Sequence, residues 1–197
     1  SDLAIFYQGS IKHTSVLTIA GSQMTNDIAI GLRTANQEAE KIKHTYGCAL
    51  SSMVRENETI KVPSVKGRDS KTVSRQILSE IIEARSRELF EMMNNEISLS
   101  GYRDIIFSGV VLTGGASSMQ GMEDLAEEIF QLPVRVGVPS EMGGLIDVVN
   151  SPMYATSTGL IQYGLRSHRK GQVRELQGRN LFEKIFSRMK DWAEEFF

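Results

Sequence analysis

The sequence predicts an α/β fold, and the segment from residue 110 to residue 130 is the main reason. Val110 to Leu112 form an apolar, β-branched run typical of a strand that is buried on both faces in a parallel sheet. Gly114 and Gly115 then break the pattern, and apolar residues recur at helical spacing from about Gly121 onward. A strand, a glycine turn and a helix together form the usual phosphate or nucleotide seat of α/β proteins, although the same pattern also suits a tight turn that binds nothing.

The composition is that of a globular protein, and it argues against some classes of function. The 197 residues are 41% hydrophobic and 23% charged, which is ordinary for a folded domain. A net charge of −2 argues against a nucleic-acid binder. The single cysteine, Cys48, cannot form an internal disulfide and fits a reducing compartment. No run of 18 apolar residues is present in the sequence, so no transmembrane helix is predicted.

The N-terminal elements alternate between strand and helix patterns. Asp2 to Tyr7 and Ile11 to Ile19 predict a hairpin whose turn contains Gly9. A short helix follows, with Met24, Ile28 and Leu32 on one side. Gly21 at the start of this helix suits either a phosphate seat or a plain turn.

Thr34 to Gln37 match a capping box, which predicts a helix from Gln37 to Tyr46 with Gly47 as its C′ residue. Glu40 and Lys43 are three residues apart and therefore share a face of that helix. The pair is either an exposed surface ion pair or a set of polar contacts for a ribose or a base.

The middle of the chain predicts a second hairpin and a long helix. The expected strands of this hairpin are Met53 to Arg55 and Thr59 to Val62. A loop is expected over residues 66–69. The spacing predicts a helix over Val73 to Leu99. Its polar residues, which include Arg85 and Glu88, form either a solvated face or a peptide-binding face with a basic centre.

The second half predicts two further strands and a helix. Ile105 to Leu112 and Pro133 to Gly137 are the strands. A helix is expected over residues 150–164, with Pro152 in its first turn. Residues 166–179 have a basic, linker-like composition.

Residues 180–197 have a continuous apolar stripe at helical spacing, and Asn180 is a plausible N-cap. Seven charges exclude a membrane-crossing helix. Docking on the same domain, docking on a partner and lying in the membrane interface are the alternatives. The alternative that the helix lies in the membrane interface is favoured by its terminal position, its aromatic stripe and the basic linker before it. The helix's own net charge of −1 argues against this alternative. The residues expected to insert are Phe182, Ile185, Phe186, Met189, Trp192, Phe196 and Phe197.

Several motifs of enzymes are missing from the sequence. It contains neither the phosphate loop of P-loop proteins nor the Gly-x-Gly-x-x-Gly fingerprint. The segment after Gly115 lacks the final glycine of a nucleophile elbow. His13, His44 and His168 make no metal-binding spacing with Cys48. Nothing in the sequence therefore predicts acid–base or covalent catalysis.

Four motifs together resemble a known family. The segment Val111–Ser117, followed by Gly121 and Leu125, is similar to the adenosine motif of the actin/Hsp70 ATPase superfamily. Within that superfamily the sequence resembles the FtsA family of bacterial cell-division proteins over essentially all of its length. The other segments that carry this resemblance are Ala20-Gly21 with Asn26–Ala29, then Ala39–Ala49, and Pro152–Leu160.

The resemblance implies a partial actin-like (ribonuclease H-like) ATPase fold with a C-terminal amphipathic helix. It implies a nucleotide-side large subdomain over 1–35 and 101–150, a small subdomain over 36–100 and a helix over 151–165 that returns to the other large subdomain. A basic flexible linker over 166–179 and a membrane-targeting helix over 180–197 would follow. Asp2 matches the end of a family phosphate loop, so the chain is expected to be a C-terminal half that alone binds ATP weakly or not at all.

Several positions of this sequence match site residues of the family. Gly114, Gly115 and Ala116 would lie against ATP, whose Mg²⁺ belongs to the full-length protein, and Met119 would lie near the base. Glu40 and Lys43 would contact the ribose and adenine, and Gly21 the phosphates. The expected contacts with the C-terminal tail of the tubulin-like protein FtsZ are Lys71, Arg85 and Glu88.

The resemblance further implies an adaptor that polymerises and that binds other division proteins and anionic lipid. Such an adaptor would be located at the cytoplasmic face of the inner membrane, at the division site. Any ATPase activity would be weak. The alternatives are an active ATPase of the Hsp70 or sugar-kinase branch, or another actin-like bacterial scaffold.

Overall fold

The computed structural model of the protein describes residues 1–64, 69–140 and 149–169. The chain divides into two compact units, of which the first is Ser1–Ala155 and the second begins at Thr156. The expected division of the first unit into large and small subdomains stays a prediction.

The predicted N-terminal hairpin is present. β1 (Asp2–Tyr7) pairs antiparallel with β2 (Ser10–Val16), and the turn between them uses the left-handed conformation at Gln8 and Gly9. β2 ends three residues before the expected Ile19. The backbone pairing nevertheless continues one step past Val16, because the Leu17 amide donates to the Ser1 carbonyl oxygen (2.8 Å) and the Ser1 nitrogen donates to the Leu17 carbonyl oxygen (2.7 Å).

Two helices follow, α1 (Gly21–Gly31) and α2 (Asn36–Tyr46). The capping-box prediction at Thr34 is wrong, because Ala35 is the N-cap of α2 and the Thr34 hydroxyl donates instead to the Pro63 carbonyl at 2.7 Å. Gly47 ends α2 with an ordinary φ of −61°, not the left-handed conformation of a C′ glycine. A glycine suits this position because a Cβ would lie 2.4 Å from the Lys43 carbonyl oxygen.

The second hairpin is built from different segments than the sequence predicts. β3 (Thr59–Val62) pairs with β4 (Lys71–Ser74), whereas Ser51–Met53 form a 3₁₀ turn. The reason is burial, because β3 places Ile60 and Val62 in the core and sets Ile60 opposite Val73. Of the predicted loop at 66–69, residues 66–68 lie outside the described residues.

The long helix α3 (Arg75–Leu99) begins two residues later than predicted, because Val73 and Ser74 belong to β4. The Ser74 hydroxyl caps it by accepting from the Gln76 amide at 3.2 Å. α3 packs against both α1 and the helix α4 (Met122–Phe130). Its buried positions follow a helical stripe, which comprises Leu78, Ser79, Ile82, Ser86, Phe90 and Ile97.

A parallel pair of strands flanks α4. β5 (Val110–Leu112) pairs with β6 (Val134–Val136), and α4 connects them as the sequence predicts. β5 is shorter than the expected Ile105–Leu112, since Arg103–Ile105 form a 3₁₀ turn and Gly109, directly before the strand, has a left-handed φ of +89°. The prediction that this strand is buried on both faces is not met by the described residues, among which Val111 is 51% exposed.

Near its end the described chain forms a 3₁₀ turn, Pro152–Tyr154, that leads into α5 (Ala155–Arg169). Pro152 occupies the first turn, as predicted. α5 extends past Arg166, where the linker was expected to begin. Residues 170–197, with the rest of that linker and the predicted terminal helix, lie outside the described residues. None of the described helices is both long and apolar enough to cross a membrane.

Gly109 provides a test of the β5–β6 packing. A Cβ at this position would lie 2.1 Å from the Pro133 carbonyl oxygen, and φ is +89°. Gly101 is a matched control, because its φ is +75° but a Cβ there would meet nothing within 4 Å. We expect Gly101→Ala to lower the free energy of unfolding by about 1–2 kcal/mol from backbone strain alone. Gly109→Ala should cost about 2 kcal/mol more, because the backbone must also move.

Urea unfolding of both variants beside the unmodified chain measures the difference. Equal losses for the two glycines would contradict the close approach of the backbone at Pro133.

Candidate functional site

The Lys43 ammonium is the centre of a polar cluster between α1 and α2. Lys43 Nζ donates to the Gly21 carbonyl oxygen (3.0 Å), to Thr25 Oγ1 (2.7 Å) and to Glu40 Oε2 (2.8 Å). Lys43 is only 8% exposed, and Thr25 is also buried. An ammonium has three N–H groups, and a buried one is costly unless all three are bonded. The charge is therefore tolerated because residues of two helices surround it.

Glu40 presents the accessible side of this cluster. Its Oε2 accepts from Lys43 and from the Thr25 hydroxyl, and its Oε1 lies 2.9 Å from His44 Nε2. Partial burial alone would raise the pKa of Glu40. The hydrogen bonds from Lys43 and Thr25, with the charges of Lys43 and His44, outweigh burial and lower that pKa.

The Glu40–Lys43 pair is not the exposed surface pair that the sequence left as an alternative. The Lys43 side chain is 9% exposed and that of Glu40 is 43% exposed. Glu38 and Lys41 form the comparison on the same helix, with the same spacing and a Lys41 side chain that is 71% exposed. The structure therefore separates two i,i+3 pairs that the sequence pattern cannot separate.

The glycine turn after β5 begins with a residue whose φ is positive. Gly114 has a φ of +92°, and Gly115–Ser118 form a 3₁₀ turn. The Gly114 amide donates to the Pro152 carbonyl oxygen (3.0 Å), and the Ser117 hydroxyl donates to the Gly114 carbonyl oxygen (2.8 Å). A Cβ on Gly114 would meet no atom within 4 Å, so one side of the loop is open.

This loop lies beside the lysine cluster. A Cβ on Gly21 would lie 3.6 Å from Lys43 Nζ and 3.9 Å from Ala116 Cβ. A Cβ on Gly47, at the end of α2, would lie 3.2 Å from Met119 Cε. The residues predicted to bind a nucleotide are thus brought together from separate parts of the sequence, namely Gly21, Glu40, Lys43, Gly114, Gly115, Ala116 and Met119.

Sequence reasoning did not identify Arg75 as a site residue. Its guanidinium donates to the Tyr46 carbonyl oxygen (2.9 Å), to Glu58 Oε2 (2.6 Å) and to Gln120 Oε1 (3.3 Å). These contacts fix the end of α2 beside the residue that follows Met119. The hydrogen bond from Arg75 lowers the pKa of Glu58. The three partners are 17 to 45 residues away in sequence, so no local spacing identifies them.

The predicted partner-binding residues lie on two elements. Arg85 and Glu88 are one turn apart on α3, whereas Lys71 lies in β4 opposite Val62. The Arg85 guanidinium contacts both carboxylate oxygens of Asp27 in α1 and also binds Glu88. The predicted membrane-inserting residues, from Phe182 to Phe197, lie outside the described residues.

Comparison of the sequence with protein families identifies relatives. The model of the family "Cell division protein FtsA" matches residues 1–159. Cell division protein FtsA of Pseudomonas aeruginosa is 47% identical over 199 residues, which cover 98% of this chain and 48% of that protein. The Escherichia coli K12 protein is 39% identical and covers 87% of this chain. The chain spans about half the length of the curated relatives it matches.

Solved structures with the same fold are more distant in sequence. MreB 5 of Spiroplasma citri bound to AMPPNP superposes with a TM-score of 0.60 at 16% identity and covers 87% of this chain and 52% of its own. A chain of the PilM–PilN type IV pilus biogenesis complex gives a TM-score of 0.58 at 17% identity, covering 83% of this chain and 42% of its own. These neighbours show the actin-like fold that the sequence predicts, whereas the predicted C-terminal amphipathic helix stays a prediction.

The family match covers most of the chain and agrees with the identity to curated relatives over nearly its whole length. The chain belongs to the FtsA family of bacterial cell-division proteins.

Proposed function

We propose that this chain forms part of a cell-division adaptor that binds ATP, assembles into filaments and tethers FtsZ to the cytoplasmic membrane at the division site. The observation that carries the proposal is the convergence of Gly21, the Glu40–Lys43 pair and the Gly114–Met119 loop at one place. Support comes from MreB 5 of Spiroplasma citri, which has this fold and whose structures hold AMPPNP and ADP.

The residues present fit a nucleotide. The open side of the Gly114 loop lets a ligand approach the backbone closely, and Met119 supplies an apolar surface beside Gly47 for a base. All three Lys43 N–H groups are already bonded, so its role is to hold Glu40 in place. The accessible Glu40 carboxylate then accepts hydrogen bonds from ribose hydroxyls. Among the described residues no cluster of three metal-ligating side chains occurs.

The other functions rest on different parts of the chain. Arg85 and Glu88 on α3, with Lys71, would contact the FtsZ tail. The stripe over 180–197 would enter the membrane interface, helped by the basic linker before it. Filament formation and contacts with other division proteins would belong to the longer protein. Any ATP hydrolysis would be weak, as the resemblance to the family implies.

Glu40→Gln tests the nucleotide site, and Glu38→Gln on the same helix is its matched control. In the full-length gene product we expect Glu40→Gln to weaken ATP binding about tenfold, the loss of one charge-assisted hydrogen bond. Glu38→Gln should leave the affinity unchanged, because its partner Lys41 is exposed. Calorimetric titration with ATP measures both. Equal effects of the two variants would contradict the proposed ribose contact.

Arg85→Glu tests the partner site. The substitution places a carboxylate where a carboxylate-bearing tail would bind, and we expect it to abolish binding of an FtsZ-tail peptide without unfolding the chain. Arg87→Glu is the control, because Arg87 binds Glu83 and Glu128 on another side of α3. Fluorescence anisotropy of a labelled peptide gives the affinity, and thermal unfolding confirms the fold. Unchanged affinity for the Arg85 variant would refute this assignment.

Trp192 reports on the proposed membrane helix, since it is the only tryptophan in the sequence. Titration with anionic liposomes should shift its emission to the blue as the stripe leaves water. Phe186→Asp should abolish the shift, because it places a charge in that stripe. Neutral liposomes serve as the control for the basic linker and should give a weaker response. A blue emission before lipid is added, unchanged afterwards, would contradict membrane insertion.

A further inference from the structure

Arg85 is already bound by carboxylates of its own chain. Its Nε and Nη2 donate to Asp27 Oδ2 (2.5 Å) and Oδ1 (3.1 Å), which is the two-pronged geometry that makes guanidinium–carboxylate pairs strong. Its Nη1 donates to Glu88. One cation is thus surrounded by two anions, and the local charge of these three side chains is negative.

A count of N–H groups shows what remains for a partner. A guanidinium has five N–H groups, and three are used by Asp27 and Glu88. The edge formed by Nε and Nη2 is occupied entirely by Asp27. An incoming carboxylate would have to share the other edge with Glu88, at a cost in like-charge repulsion.

The two internal carboxylates are not equivalent. The Glu88 side chain is 51% exposed and belongs to the same helix as Arg85, so it is a weak surface partner. The Asp27 side chain is 25% exposed, engages with both oxygens and comes from α1. Its hydrogen bond is the main reason that the pKa of Arg85 is raised.

We propose that Asp27 is an internal competitor that occupies the Arg85 guanidinium in place of a carboxylate of the partner's tail. This inference rests on the proposed function, in which Arg85 binds that tail. The partner's carboxylate displaces Asp27 from the Nε–Nη2 edge, so the observed affinity is lower than the contact itself would give. Removing the Asp27 charge leaves the guanidinium open.

The test compares peptide affinities of several variants of the full chain. Asp27→Asn removes the charge but keeps the shape and one acceptor oxygen. Asp27→Ala is a second neutral variant. Glu80→Gln is the matched control, because it makes the same charge change at an exposed position of α3. A synthetic peptide with the sequence of the FtsZ C-terminal tail is the probe. Thermal unfolding verifies that each variant is folded.

We expect both Asp27 variants to bind the peptide about fivefold more tightly, and Glu80→Gln to bind as the unmodified chain does. The gain should shrink at high salt, where exposed charges are screened. Unchanged or weaker binding by both Asp27 variants would overturn the inference, because Asp27 would then hold Arg85 in position for the partner instead of competing with it.

Arg85→Glu separates this failure from failure of the proposed function. If Arg85→Glu binds the peptide as well as the unmodified chain does, or if neither binds, the assignment of the partner site is wrong and the competitor role falls with it. If Arg85→Glu loses binding while the Asp27 variants show no gain, only the competitor role is wrong.

Discussion

The structure around the candidate site depends on the burial of one positive charge. A lysine ammonium that is removed from water must have all its N–H groups bonded, and Lys43 obtains its three acceptors from α1 and from its own helix α2. These bonds fix the start of α1 beside α2. They also set Gly21 next to Ala116, so the glycine loop after β5 meets the same cluster.

α1 is the element that connects the two proposed sites. Thr25 on this helix binds the Lys43–Glu40 cluster, and Asp27, two residues later, binds Arg85 on α3. At the far end of α1, Gly31 packs so closely that a Cβ would lie 2.6 Å from Ile81 Cδ1. Because one short helix contacts both the nucleotide-side cluster and the partner-side arginine, a displacement of α1 would change both sets of contacts together.

Local patterns predicted the elements whose signal lies within a few residues. The first hairpin, α4 and the glycine turn before it follow from alternation, helical spacing and adjacent glycines. β4 was missed because its pairing with β3 is decided by burial in the core, and its residues continue smoothly into the pattern of α3. Arg75 and Asp27 were missed because their contacts join segments up to 58 residues apart.

In the proposed function, the segments around Gly21 and around Gly114 face the same nucleotide. Hydrogen–deuterium exchange of the full-length protein with and without AMPPNP tests it most directly. We predict that the nucleotide slows exchange in both segments, at the start of α1 and in the loop that precedes α4. Exchange in the hairpin of β1 and β2 should change little. Saturation with the nucleotide without protection of either segment would contradict the claim.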